Sequence, residues 1–248
     1  MRLVIADSSL LKDSISVISD LVSEARFKIS RDGLELIAMD PANVAMVVFK
    51  LLSSCFVEYD LEKDVEIAVN LTSFKQILKR SSPNDIVSLE LTEDNKLKVQ
   101  FKGSTTRTFS LPLIELEEKE QRVPNLSFPV LVSTDSSILN AAIADADIVA
   151  ESVTFGADPE KFTVAAEGDS SKVFVEIKPN EKTSIKSETS ANVRAKYSIE
   201  YLKKMMNGSK LASDVNVFFN QNYPLKLEYK VVDKLLLSFI LAPRVEND

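Results

Sequence analysis

Apolar and polar residues alternate along most of the chain, and this alternation predicts many short β-strands. In the first half, residues 26–29 and 34–39 alternate on either side of a turn that contains Gly33, a pattern typical of a β-hairpin. Further strands are predicted at residues 3–5, 44–51, 65–69, 86–91, 97–101 and 105–113. Consecutive alternating strands with short connections indicate antiparallel sheet.

Two segments of the first half instead repeat apolar residues at the three- and four-residue spacing of a helix. One begins at a cap formed by Asp7 or Ser8 and is predicted to end near residue 23. The other covers residues 73–80, with apolar residues on one face and lysines on the other. These two short helices interrupt an otherwise strand-rich half.

The second half repeats the first at an offset of 128 positions. At this offset, the alignment pairs Ser8-Ser9-Leu10-Leu11 with Ser136-Ser137-Ile138-Leu139. It also pairs Leu97-Lys98-Val99-Gln100-Phe101 with Leu225-Lys226-Leu227-Glu228-Tyr229. Strands are predicted at residues 130–133, 153–157, 162–167, 172–178, 184–196, 215–220, 225–231 and 235–241. Helices are predicted from Asp135 or Ser136 to about residue 150 and at residues 199–206. The repeat therefore predicts two copies of one domain.

A charge-dense strap joins the two copies. Residues 112–128 read PLIELEEKEQRVPNLSF, with little to bury and with Pro124 disfavouring helix. We predict an N-terminal domain at residues 1–114, a connector at residues 115–127 and a C-terminal domain at residues 128–248. Each domain is expected to be α+β, with two short helices packed on antiparallel sheet.

The composition excludes several kinds of chemistry. The chain has no histidine, so Ser-His-Asp and Cys-His catalysis and histidine metal sites are excluded. Its five glycines are isolated, so neither a dinucleotide-binding motif nor a P-loop can be built. The closest carboxylates on a predicted helix, Asp145 and Asp147, lie two residues apart and do not face one another. We expect no catalytic residue, no metal and no cofactor.

Cysteine use and hydropathy predict the compartment. The lone Cys55 cannot form an internal disulfide, which fits a reducing environment. No apolar run is long enough for a membrane span, and the N-terminus turns polar too early for a secretory signal. We expect a cytoplasmic protein without membrane contact. The net charge of −7 argues against a generic nucleic-acid binder, for which a basic domain is expected.

Four segments resemble a known family. They are Met39-Asp40-Pro41, residues 70–79 (NLTSFKQILK), residues 224–229 (PLKLEY) and residues 241–244 (LAPR). An acidic tail follows the last of these segments. With the repeat and the strap, they resemble the DNA sliding clamps of archaea and eukaryotes, the proliferating cell nuclear antigen family. The resemblance implies a non-catalytic ring of three subunits that encircles duplex DNA at the nucleoid. It also implies that DNA polymerase, flap nuclease, DNA ligase and clamp loader dock through short peptides.

The resemblance implies that basic residues on or beside the short helices contact DNA. They are Lys12, Lys75, Lys79, Arg80, Lys203, Lys204 and Lys210. Lysines on helix faces are usually only solvated, but lysines facing a duplex would hold phosphates without reading bases. The first helix of the second copy, predicted at residues 136–150, has no basic residue and presents Asn140, Ala144 and Asp147. Whether the ring is a homotrimer or a mixed trimer stays open.

Two further surfaces follow from the resemblance. The partner-peptide site is implied to include Met39, Val44, Val123, Pro124, Pro224, Ile240, Leu241, Ala242 and Pro243. Exposed apolar groups beside a backbone that proline makes rigid can bind an apolar side chain of a partner peptide. The subunit interface is implied to pair two edge strands through Thr108, Phe109 and Leu111 and through Val173, Val175 and Ile177. Unpaired strand edges invite such pairing.

Three other functions stay open at this point. A checkpoint-type clamp subunit would have the same fold. A carboxylate-dependent nuclease would cleave DNA in the presence of a metal ion. A peptide-binding adaptor would keep the mass of one chain at micromolar concentration.

Overall fold

The protein is built mainly of antiparallel strands, grouped into two compact units. The computed structural model describes residues 1–117 and 121–245. Unit 1 comprises Met1–Pro41, Val47–Val123 and Val231–Leu237, and unit 2 comprises Ala42–Met46, Pro124–Lys230 and Ser238–Asp248. Residues 118–120 of the predicted connector and residues 246–248 of the acidic tail lie outside the described residues.

The first half of the chain folds into two groups of strands and two helices. Its elements are β1 (Arg2–Ile5), α1 (Ser9–Ile18), β2 (Glu24–Ser30), β3 (Gly33–Met39), β4 (Ala45–Leu52), β5 (Glu58–Asp60), β6 (Val65–Asn70), α2 (Leu71–Leu78), β7 (Ile86–Leu91), β8 (Lys96–Lys102) and β9 (Thr106–Pro112). One sheet has the order β5-β1-β7-β8-β9, and β4-β3-β2-β6 are neighbours in another. A short 3-10 turn, Ser53–Cys55, follows β4.

The second half repeats this plan. Its elements are β10 (Val130–Asp135), α3 (Ser136–Asp147), β11 (Ser152–Asp158), β12 (Lys161–Glu167), β13 (Lys172–Ile177), β14 (Thr183–Ser187), β15 (Val193–Ser198), α4 (Ile199–Met205), a 3-10 turn (Met206–Lys210), β16 (Asp214–Phe219), β17 (Leu225–Val231) and β18 (Leu235–Leu241). One sheet has the order β13-β12-β11-β15, and β14-β10-β16-β17 are neighbours in another. The predicted α+β class is confirmed by this repeated arrangement.

Alternation along the strands fills the core of each unit. In β8, Leu97, Val99 and Phe101 are buried while the intervening residues are not, as the period of two requires. In unit 2, Phe155 makes edge-to-face contacts with Phe162 and Tyr197. Such aromatic pairs add to the stability that burial of their surface provides.

The predicted helices α1 and α3 are longer than the observed ones. After Ile18 the chain tightens into turns, because Asp20 N–H bonds to Val17 O and Leu21 N–H to Ile18 O. Leu21 is still buried, so its apolar character does not require helix. Likewise α3 ends at Asp147 rather than near residue 150. Apolar residues just beyond a helix end follow the helical spacing without extending the helix.

The single strand predicted at residues 184–196 is wrong: two strands, β14 and β15, lie there in different sheets. β14 pairs with β10, whereas β15 pairs with β11. Between them Ser187 Oγ donates to Thr189 O, and Thr189 Oγ1 accepts from Ala191 N–H. Hydroxyl side chains that bond nearby backbone compete with a sheet ladder, and here they turn the chain.

Two smaller differences concern the first half. Helix α2 begins at Leu71, two residues before the predicted start, because the Asn70 side chain accepts the Ser73 N–H at 2.9 Å. Strand β5 was not predicted from the sequence. Gly33 makes the predicted hairpin turn with a φ of 148°, where a side chain would also meet the Leu51 carbonyl oxygen.

Candidate functional site

In unit 1 the two helices contact one another and leave a polar face. The Asp7 carboxylate accepts the Ser9 N–H at the start of α1 at 3.0 Å. The buried residues of the pair are Leu11, Ser14, Ile15, Val17 and Ile18 in α1 and Leu71, Phe74 and Leu78 in α2. Lys79 and Arg80 are exposed and Lys12 is half-buried. The helix pair therefore presents these predicted cations to solvent.

Lys75 is held more firmly than its predicted outward position suggests. Its Nζ donates to Asp20 Oδ1 at 2.8 Å and to the Ser16 carbonyl oxygen at 3.1 Å, and its side chain is 20% exposed. Ser16 lies near the C-terminal end of α1, where the helix dipole favours a cation. Lys75 thus ties α2 to the end of α1.

In unit 2 the corresponding lysine is also paired. Lys203 Nζ donates to Asp147 Oδ2 at 2.6 Å, and its side chain is 54% exposed. Lys204 Nζ donates to Glu200 Oε1 at 2.9 Å. This hydrogen bond lowers the pKa of Glu200 below its usual value. Lys210 is exposed at the end of the 3-10 turn.

The exposed face of α3 is acidic rather than basic. Ala144, Asp145 and Asp147 are exposed. Asn140, which stands where the first copy has Lys12, instead donates from Nδ2 to Ser209 Oγ at 3.3 Å. The second helix pair therefore draws its positive charge from α4 and the turn after it.

The candidate interface strands β9 and β13 are each the last strand of their sheet. Thr108 is exposed, Phe109 half-buried and Leu111 buried on β9. On β13, Val173 and Val175 are half-buried and Ile177 is buried. The structure therefore places both predicted segments at sheet edges, with their apolar residues turned partly or fully inward.

The hairpin bonds show which backbone groups face the free edges. Gly168 N–H bonds to Ser171 O and Gly103 N–H bonds to Thr105 O. Because bonded pairs alternate in an antiparallel ladder, the N–H groups that point to the free edges belong to the even-numbered residues. These residues are Thr106, Thr108 and Ser110 on β9 and Lys172, Phe174 and Glu176 on β13.

Two residues of the edge strands were not identified as candidates from the sequence. Phe174 is 64% exposed on the polar face of β13. The sequence could have indicated it, because an aromatic residue stands where the alternation places polar residues. Arg107 on β9 pairs with Asp85 and donates to the Arg80 carbonyl oxygen at 2.8 Å. No sequence pattern indicated this contact, which ties β9 to the segment after α2.

The candidate docking residues divide between the units. Met39 and Val123 belong to unit 1, and the others to unit 2. In unit 2, Ala242 N–H bonds to the Val44 carbonyl oxygen at 2.9 Å and Arg244 N–H to the Lys196 carbonyl oxygen at 2.7 Å. These bonds bring the C-terminal segment alongside Val44 and β15.

Exposure separates the candidate docking residues further. Ile240 and Leu241 are buried, so the expectation that they are exposed is wrong: they are core residues of β18. Val123 is 46% exposed and Pro124 is exposed. The remaining members, Met39, Val44, Pro224, Ala242 and Pro243, are half-buried.

The start of the connector is anchored on unit 1. Ile114 N–H bonds to the Ala68 carbonyl oxygen of β6 at 2.9 Å. Arg26, which was not identified as a candidate from the sequence, donates from Nη2 to the Leu116 carbonyl oxygen at 2.9 Å. The connector therefore begins as an addition to the edge of a sheet.

Two negative findings concern the described part of the chain. Within residues 1–117 and 121–245, no group of three or more Cys, Asp or Glu side chains is arranged to hold a metal ion. None of the helices described there is long and apolar enough to cross a membrane.

Comparisons with known proteins match nearly the full length of the chain. The family model for the proliferating cell nuclear antigen N-terminal domain matches residues 1–121, and that for the C-terminal domain matches residues 122–244. A DNA polymerase sliding clamp of Nanoarchaeum equitans is 36% identical, covering 98% of this chain and 99% of the relative. One of Thermococcus gammatolerans is 37% identical, covering 95% and 94%.

Solved structures show the same fold. A PCNA from Thermococcus kodakaraensis superposes with a TM-score of 0.91 at 28% identity, covering 98% of this chain and 99% of that one. A chain of the PCNA2–PCNA3 complex from Sulfolobus tokodaii gives 0.88 at 26% identity, covering 99% and 100%.

Proposed function

The chain belongs to the proliferating cell nuclear antigen family of DNA polymerase sliding clamps, and we propose that it is a non-catalytic subunit of a three-membered ring around duplex DNA. In that role it raises the local concentration of enzymes on DNA without binding a nucleotide itself. Its place of work would be the DNA of the nucleoid.

The observation that carries the DNA contact is the charge on the two helix pairs. The chain has a net charge of −7, yet Lys79 and Arg80 in unit 1 and Lys203 in unit 2 lie exposed on or beside the second helix of each copy. An acidic body with local basic faces attracts DNA only where those faces meet it. Contacts to phosphates alone carry no sequence preference, as sliding requires.

The edge strands support ring closure. β9 offers free N–H groups on one copy and β13 offers them on the other, so one subunit can pair head to tail with the next. Head-to-tail contacts close into a ring when the rotation between subunits allows it. Whether the three subunits are identical is decided by the solution mass of the protein alone and mixed with its close relatives.

The C-terminal segment supports partner docking. Ala242 and Pro243 are partly accessible beside Val44, and Pro224 shares the unit. We place the docking peptides of DNA polymerase, flap nuclease, DNA ligase and clamp loader there, with Met39, Val123 and Pro124 as further contributors. Burial of one or two apolar side chains, at about 1.5–3 kcal/mol each, less the cost of ordering the peptide, gives micromolar affinity.

Primer extension on a singly primed circular template tests the function. With polymerase and clamp loader of the same source, the protein, together with any clamp subunits it requires, should lengthen the products of single binding events many-fold. Products of unchanged length would contradict the proposal. Metal-dependent cleavage of the template by the protein alone would instead support the nuclease, and a monomeric mass with intact peptide binding would support the adaptor.

A further inference from the structure

We call the basic sides of the two helix pairs the DNA face; its cations are Lys12, Lys75, Lys79, Arg80, Lys203, Lys204 and Lys210. We infer that Asp20 and Asp147 are built-in counterions of the DNA face, because each carboxylate holds a lysine and so makes it less available to phosphate. This role rests on the proposed function, because it concerns how strongly the helix pairs attract DNA. Its consequence is a weaker grip, which lets the ring move along the duplex.

The same ion pair occurs in both copies of the domain. Lys75 and Lys203 occupy equivalent positions on the second helix, 128 residues apart. Asp20 follows the end of α1 and Asp147 ends α3. The Nζ-to-carboxylate distances are 2.8 Å and 2.6 Å. An arrangement kept in two copies whose other helix charges differ indicates a shared requirement.

In the part of the chain that the structure describes, three other cations on or beside these helices are not held by a carboxylate, whereas Lys204 pairs with Glu200 of its own helix. Within the described residues, the side chains of Lys12, Lys79 and Arg80 form no ion pair with a carboxylate. Exposed ion pairs contribute only about 0–1 kcal/mol, so a phosphate can compete for the lysine. When it does, the carboxylate stays nearby and cancels much of the attraction. Each aspartate thus reduces the net charge that DNA meets.

The two pairs differ in strength. Lys203 has the Asp147 carboxylate as its hydrogen-bond acceptor and its side chain is 54% exposed. Lys75 is 20% exposed and also donates to the Ser16 carbonyl oxygen, which remains when Asp20 is replaced. Removing the carboxylate of Asp147 should therefore release its lysine more completely than the same change at Asp20.

The test replaces Asp147 by asparagine, which keeps the size of the side chain and removes its charge. Binding of a short fluorescent duplex is followed by anisotropy between about 200 and about 50 mM salt. One further phosphate contact steepens the plot of log K against log salt by about 0.9. For each lysine released, the gain in affinity across that range should therefore be about threefold larger than for the parent. Asp20→Asn should give a smaller gain.

The matched control is Asp94→Asn. Asp94 also pairs with a lysine at 2.6 Å, but in the turn between β7 and β8, off the helices. The Asp94→Asn variant changes the subunit charge by the same amount as Asp147→Asn. An equal gain in duplex affinity for the two variants would therefore overturn the inference. The variant Asp147→Asn should also lose its gain when combined with Lys203→Gln. A gain that persists would mean that the aspartate repels DNA directly and holds no functional lysine.

A third arm separates this inference from the proposed function. Lys79→Gln with Lys204→Gln should weaken duplex binding if the helix faces contact DNA. If it does so while Asp147→Asn changes nothing, the counterion role alone is contradicted. If neither variant changes binding and the solution mass is unchanged, the DNA face itself is wrong and both proposals fall.

Discussion

The two helix pairs keep the same cross-helix ion pair but differ in the charge around it. In unit 1, the helices that hold the pair of Lys75 with Asp20 also carry Lys12, and Lys79 and Arg80 follow directly after α2. In unit 2, the first helix carries no base and exposes Asp145 beside Asp147. The repeat has thus preserved the contact that ties the helices together, while the charge of the surrounding face has changed.

On the proposed function, this difference predicts that the two copies contribute unequally to the attraction of DNA. Both copies have a lysine at the same position of the second helix and an aspartate at or just after the end of the first, although the two aspartates differ by one position in the repeat. Exposed positions such as Ala144 contribute little to stability and can vary. Unit 1 should therefore provide the larger share of the attraction to DNA.

The largest expected effect concerns the two edge strands. Phe174→Pro on β13 and Thr108→Pro on β9 each remove an N–H that points to a free edge, and each leaves the ladder to the neighbouring strand in place. Either change should reduce the oligomer to single chains by light scattering. Phe174→Ala and Thr108→Ala keep the N–H and serve as controls. An oligomer that survives both prolines, with the fold intact by circular dichroism, would rule out edge pairing.

The next effect concerns the C-terminal segment. Replacing Ala242 and Pro243 by glutamine should weaken binding of a fluorescent docking peptide by about tenfold or more, because one apolar side chain loses its site. The ring should still form. Val57→Gln, at an apolar residue that is 68% exposed elsewhere in unit 1, is the control. Equal peptide affinity for the parent and the double variant would contradict the docking site.

A smaller effect should distinguish the two helix pairs. Charge reversal of Lys79 and Arg80 should flatten the salt dependence of duplex binding more than charge reversal of Lys203 and Lys204. The reason is that the latter pair is already partly neutralised by Asp147 and Glu200. Titrations over the same salt range measure both. If the unit 2 variant has the larger effect, the proposed division of work between the copies is wrong.

The smallest effect comes from restoring a base to α3. Ala144→Lys adds a cation at an exposed position of that helix. The salt dependence of duplex binding should steepen by at most about 0.9 for each subunit. Ala141→Lys, at another exposed position of α3, tests whether placement on the helix matters. An unchanged salt dependence for Ala144→Lys would show that this position of α3 does not face DNA.

Most of the fold could be predicted because both of its signals can be read directly from the order of apolar and polar residues. Alternation located nearly all strands, and the repeat located the two copies. The break between β14 and β15 was missed because the hydroxyl bonds of Ser187 and Thr189 are decided by side-chain geometry. The end of α1 was overextended because Leu21 and Val22 continue the helical spacing and are buried, although the chain has already turned after Ile18. The end of α3 was overextended because apolar residues also follow Asp147, although Ile148 is 84% exposed.

The candidate site could be predicted only in part. Basic residues at helical spacing identified the faces, but the partners of Lys75 and Lys203 lie 55 and 56 residues away, where no pattern links them. Arg26 and Arg107 act through backbone carbonyls, which every residue has, so sequence offers no sign of those contacts. Burial of Ile240 and Leu241 likewise depends on tertiary packing.

A topological test addresses the central claim most directly. The protein, with any clamp subunits it requires, is loaded by its clamp loader onto nicked circular DNA and passed through a gel-filtration column. The circle is then cut once with a restriction enzyme, and the sample is passed again. A ring around the duplex predicts that the protein elutes with the circle and leaves the linear DNA by sliding off its ends. Protein that stays on the linear DNA, or that never elutes with the circle, would contradict the account.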